Sequence, residues 1–117
     1  MAILLEKISN LNDMILQGKA LEAFEKYYHL DVVMQENDNP PTIGKDVNRI
    51  REKEFASAIL EFRGAKPLKV TIGEQTTIVE WFFDYTHKDL GERTYHQVSV
   101  QEWKDGQIIK EKFYYNN

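Results

Sequence analysis

The chain has 117 residues, 42% of them hydrophobic and 29% charged, with a net charge of −4 and no cysteine. Those values describe one ordinary globular domain, residues 1–117, with room for a single core. They exclude disulfides, thiol catalysis and thiolate metal sites, and the acidic pI of about 5.4 argues against nucleic acid or an anionic membrane as a partner.

The apolar opening Met-Ala-Ile-Leu-Leu is stopped by Glu6 and Lys7, too short for a signal peptide. No run reaches the ~18–20 apolar residues of a membrane helix, so a cytoplasmic location is expected. Leu4, Ile8, Leu11 and Ile15 recur at helical spacing and predict a first helix with one apolar stripe. Gly18 suits the C′ position that ends it. A second helix is predicted with Leu21, Phe24 and Tyr28 on one face and Ala20 and Tyr27 beside them. Residues 31–36 read as a short strand ending in Glu36, broken by Asn37-Asp38-Asn39-Pro40-Pro41. A third helix is expected to start near Thr42–Asp46. Its predicted buried stripe is Val47, Ile50, Phe55, Ala58 and Ile59, with Arg49, Arg51, Glu52, Lys53 and Glu54 on a solvated face.

The second half reads as antiparallel strands: 68–74 after Pro67, then 76–87, 93–103 and 107–115. Three helices followed by a meander of long strands is an α+β layout, with helices packed in the concave face of a curved sheet. Register decides which residues point inward. A three-residue Lys104-Asp105-Gly106 turn with a G1 bulge would pair Trp103 with Gln107. One face then collects Val79, Trp81, Phe83, Tyr85, Tyr95, Gln97, Ser99, Gln101, Trp103, Ile109, Glu111, Phe113 and Tyr115. A two-residue Asp-Gly turn of type I′ would reverse the pairing of the last two strands. Aromatic walls around the neutral polar centre of Gln97, Ser99 and Gln101 describe a small-molecule pocket, where a plain core would place Val, Ile or Leu. The other face mixes charge with Ile78, Phe82, Val98, Val100 and Ile108, which suggests a homodimer contact. His29, His87 and His96 fall on a helix end, a strand end and the outer face; they make no metal set, and no metal or cofactor is expected.

The string Tyr27-Tyr28-His29-Leu30-Asp31-Val32-Val33-Met34-Gln35-Glu36-Asn37, with Pro41-Thr42-Ile43-Gly44-Lys45, resembles the SnoaL-like and ketosteroid-isomerase-like branch of the nuclear transport factor 2-like superfamily. The closing hairpin, Val98–Ile109 through Phe113-Tyr114-Tyr115-Asn116, resembles the end of those proteins. The resemblance covers essentially the whole chain. It implies a cone-like α+β barrel with an internal pocket and common dimerisation. It also implies that Glu36, at the end of the first strand, holds the position of the isomerases' general base. The two oxyanion-hole acids of the isomerases align with Leu11 and Ser99, and the late-strand carboxylate of the polyketide cyclases aligns with Phe113. Those three residues depart from the pattern.

The expected function is therefore binding of a small, largely apolar molecule, with proton transfer of the isomerase, cyclase or dehydratase type and Glu36 as candidate base. Trp81, Phe83, Tyr85, Tyr95, Gln97, Ser99, Gln101, Trp103, Glu111, Phe113 and Tyr115 are the candidate ligand-binding residues. Alternatives are a non-catalytic binder and a dimeric interaction module whose cone is filled by side chains.

Overall fold

The computed structural model describes residues 2–116. Helix α1 (Ala2–Leu16) buries Leu4, Ile8 and Leu11 as its spacing predicts. Its end is a Schellman motif: Lys19 N–H donates to Met14 O at 2.8 Å and Gly18 N–H to Ile15 O at 3.1 Å, with Gly18 at φ 78°. Helix α2 (Ala20–Tyr27) buries Ala23, Phe24 and Tyr27. Strand β1 (Tyr28–Glu36) follows at once, so Tyr28 opens a strand instead of closing a helix, and the strand begins three residues before the expected 31. Its ladder partner explains the difference. β1 runs parallel to the last strand, with Tyr28 beside Ile108 and Glu36 beside Phe113, a pairing invisible to local pattern.

A two-residue strand β2 (Thr42–Ile43) folds back on β1 and leads through Gly44, at φ 98°, into α3 (Lys45–Ala58). Here the predicted stripe is displaced. Val47 and Ile50 are 51% and 59% exposed, whereas Lys45, Asn48 and Ala58 are buried. The inward line is Lys45, Asn48 and Glu52, still at helical spacing but polar; Phe55, expected inside, is 42% exposed with its ring beside Tyr85 and His87, and Ile59 opens the next strand. Lys45 Nζ donates to Glu25 O at 2.9 Å, and the Asn48 amide reaches Thr42 O at 3.0 Å and Gly44 O at 2.8 Å. The Asn48 bonds satisfy carbonyls beside β2, and the Lys45 bond satisfies one in the last turn of α2; an apolar stripe would leave them unpaired.

The chain then passes directly into β3 (Ile59–Ile72), nine residues earlier than the expected 68, and on to β4 (Thr76–His87), β5 (Gly91–Lys104) and β6 (Gln107–Tyr115). Pro67 is tolerated because β3 is an edge strand with three register irregularities. The sheet order is β2-β1-β6-β5-β4-β3, antiparallel except for β1 with β6. Three helices thus meet a six-stranded curved sheet that stays open at β2 and β3. The expected barrel does not close.

The Asp105-Gly106 turn is the two-residue type, with both residues at positive φ (52° and 80°) and Lys104 paired with Gln107. That turn alone would invert the face of β6. A bulge intervenes: Trp103 pairs with Ile108 but Glu102 with Lys110, so Ile109 is the extra residue. Ile108, expected outside, is fully buried against the core, and Ile109 is only half-buried. Beyond the bulge the expected faces return, with Gln101 opposite Glu111, Ser99 opposite Phe113 and Gln97 opposite Tyr115.

Candidate functional site

The concave face carries two linked sets of polar side chains among aromatic rings. The deep set is a directed chain of hydrogen bonds. Trp103 Nε1 donates to Thr77 Oγ1 (2.9 Å), Thr77 to Gln101 Oε1 (2.7 Å), and Gln101 Nε2 to Glu111 Oε2 (2.7 Å). From the other side Tyr28 Oη donates to Glu111 Oε1 at 2.5 Å. Every donor points toward Glu111, which is 3% exposed. Burial pushes its carboxyl up to about 7, against the pull of the Tyr28 and Gln101 hydrogen bonds. The Tyr28 hydroxyl is raised well above its ordinary value, chiefly by burial and then by the neighbouring Glu111 charge.

The rim set lies where β1 and β6 end and β5 begins. Tyr85 and Tyr95 hydroxyls are 2.7 Å apart, and the Tyr95 ring packs on Tyr115 at 5.5 Å. Tyr115 Oη donates to Glu36 Oε1 at 2.8 Å, while Glu36 Oε2 faces Arg51 at 3.4 Å. Burial raises the Tyr95 and Tyr115 hydroxyls, and their hydrogen-bond partners Tyr85 and Glu36 raise them further.

Glu52 joins the two sets. It is half-buried on α3, and among the described residues its carboxylate accepts no hydrogen bond. Burial lifts it to about 7, followed by the charges of Glu111 and Glu36, with Arg51 opposing. Two carboxyls poised near neutrality in one interior can divide acid and base duty.

Most of the candidate binding residues share this face. Trp81 stacks on Phe83 at 5.2 Å, Gln97 Nε2 donates to Ser99 Oγ at 3.2 Å, and Phe113 packs on the core cluster opposite Ser99. Glu36 is a half-exposed rim carboxylate rather than a buried one. The last strand does carry an inward carboxylate: it is Glu111, two residues before Phe113. Leu11 is plain core.

Glu52, Tyr28, Thr77 and Arg51 were not identified as site residues. Glu52 had a signal, since Lys45, Asn48, Glu52, Phe55 and Ile59 fall at helical spacing. Tyr28 and Thr77 had none, because their roles depend on strand pairing. Two surface clefts adjoin the rim, of about 480 Å³ (lined by Glu92, Arg93, Thr94, Tyr95, His96 and Asn116) and about 470 Å³ (between α3 and the β4–β5 hairpin). Among the described residues no cluster of His, Cys, Asp or Glu could hold a metal ion, and no helix is long and apolar enough to cross a membrane.

Comparison with known families finds a match to the SnoaL-like domain over residues 5–115. This chain is a SnoaL-like domain. Solved structures of similar shape include a proposed SnoaL-like polyketide cyclase from Mesorhizobium loti, with 25% identity and TM-score 0.85 over 96% of this domain and 98% of that chain. An NTF2-like protein of unknown function from Burkholderia pseudomallei gives 14% identity and TM-score 0.84 over 99% and 92%. A proposed isomerase from Bacillus subtilis gives 19% identity and TM-score 0.77 over 95% and 84%. A comparison with curated proteins found no match for the SnoaL-like domain. The similarity covers essentially the whole fold.

Proposed function

We propose that this SnoaL-like domain binds a small, largely apolar molecule within the cone and moves a proton on it, with Glu52 as the group that exchanges the proton. The observation carrying this reading is the half-buried Glu52 carboxylate, without a hydrogen bond among the described residues and lifted to about 7 by burial and then by the charges of Glu111 and Glu36. A base with a pKa near the working pH removes a proton from carbon adjacent to a carbonyl most effectively. The electron pair left behind moves onto the carbonyl oxygen, which then needs a donor. Leu11 and Ser99 do not supply the isomerase-type donors. The Tyr85–Tyr95 pair does: one hydroxyl proton bridges the two oxygens, and the second remains available. Glu52 then returns the proton elsewhere on the substrate. Glu111 sits in the wall with both oxygens engaged and acts by raising Glu52. Glu36, held by Tyr115 and Arg51, is the competing base.

The test uses 2-tetralone, a ketone with acidic α-protons, in heavy water, with deuterium incorporation read by NMR. The wild-type protein accelerates exchange over buffer, and Glu52→Gln lowers the excess rate by about 100-fold or more. Loss in Glu36→Gln but not in Glu52→Gln would transfer the role to Glu36. Exchange at the buffer rate with wild-type protein would overturn the proton-transfer reading. The domain also pairs as a homodimer in this reading, through the half-buried Ile78, Phe82, Val98 and Val100 and the exposed Tyr114 on the outer sheet face.

A further inference from the structure

Three of the four arginines have acidic partners: Arg49 with Glu25 and Asp46, Arg51 with Glu36, and Arg63 with Glu61 and Asp84. Arg93 differs. It stands on the concave side of β5, opposite Tyr85, and is half-buried. Among the described residues it has no ion pair, and its Nε is shut away from solvent without a hydrogen-bond partner. Its contact is the Tyr95 ring, with the guanidinium carbon 4.9 Å from the ring centroid. A guanidinium carries a permanent charge and five donors in a planar fork. Buried donors in folded chains are nearly always paired, so such a group calls for a partner from outside the fold. Arg93 lines the 480 Å³ cleft together with Tyr95.

We propose that Arg93 and Tyr95 form the anchoring end of the ligand site and that the ligand is a small unsaturated organic acid. Its carboxylate pairs with the Arg93 fork, and its planar body runs along Tyr95 into the cone. This inference rests on the reading that the cone takes the ligand, and it names the ligand's class. Fork and carboxylate match in geometry. A monoanion fits better than a phosphate, because Glu92 lines the same cleft and no second arginine or lysine does. Holding the charge at the rim also keeps it from Glu111 and Glu52, whose neutral forms are favoured deeper in.

The experiment titrates isotope-labelled protein with benzoate, with its neutral isostere benzamide, and with phenyl phosphate, following backbone amide shifts by NMR. Benzoate shifts the Arg93 and Tyr95 amides with millimolar affinity, and benzamide binds at least about tenfold more weakly. Arg93→Gln removes the preference for benzoate over benzamide, and Arg93→Lys, which keeps the charge without the fork, restores part of it. Equal binding of benzoate and benzamide, or an unchanged preference in Arg93→Gln, would overturn the anion site. Tighter binding of phenyl phosphate than of benzoate would overturn the carboxylate assignment. If benzoate binds through Arg93 while 2-tetralone exchange stays at the buffer rate, the proton-transfer reading fails and the anion site stands. If exchange depends on Glu52 but benzoate ignores Arg93, the reverse holds.

Discussion

Tyr28, the first residue of β1, donates its hydroxyl proton to Glu111 in the middle of β6, across 83 positions of sequence, at 2.5 Å. This bond ties the parallel strand pair together and closes the hydrogen-bond chain that begins at Trp103. It places an ionisable group at the centre of the core, and folding stability should register it.

Stability should fall as pH rises across neutrality. Glu111 and Glu52 hold their protons more tightly folded than unfolded, since both rise from 4.5 to about 7. Their favourable contribution is complete below 4.5 and is lost as pH climbs through about 7. For the buried Glu111 the loss is on the order of 3 kcal/mol. Urea denaturation across this range should show the decline. Glu111→Gln and Glu52→Gln each flatten it, and the double variant removes most of it. An undiminished slope in the double variant would place the titration elsewhere.

Glu52→Gln should stabilise the fold above pH 7 while it abolishes exchange. The wild-type carboxylate is half-buried, unpartnered and repelled by Glu111 and Glu36, so a neutral isostere relieves a cost of about 1 kcal/mol. Thermal melting at pH 8 checks this. A lower Tm in the variant would show that Glu52 is a structural anchor.

Thr77→Val should destabilise far more than its small change in shape suggests. Thr77 is fully buried and both receives the Trp103 indole proton and donates to Gln101. Valine keeps the volume but leaves a donor and an acceptor unpaired, at about 1–3 kcal/mol each. Urea denaturation measures the loss. A change below about 0.5 kcal/mol would mean that the network is not a unit.

The outer face should control association. Val100 lies opposite Ile78 there, and Val100→Glu adds a charge to the apolar patch. Light scattering coupled to size exclusion should give a dimer for the wild type and a monomer for the variant. A wild-type monomer at tens of micromolar protein would remove the dimer proposal.

Local pattern decided much of this molecule. The stripe Leu4, Ile8 and Leu11, the stop at Gly18, and the spans of β4 and β6 follow from short-range spacing, turn chemistry and β-branched content. So does the grouping of Gln97, Ser99, Gln101, Glu111 and Tyr115 on one face, because side chains alternate along a strand and pairing preserves the face. Tertiary structure decided the rest. Tyr28 became a strand residue only because β6 lies beside it, and Ile108 entered the core only because a bulge offset a two-residue turn. Lys45 and Asn48 turned inward because carbonyls of α2 and of the residues beside β2 required hydrogen-bond partners there, which outweighed hydrophobic rank. Glu36 was legible as an acid at a strand end. That it sits at the rim with Tyr115 and Arg51, while Glu111 lies buried and Glu52 stands between them, depends on contacts between distant segments, and only the folded chain makes those contacts.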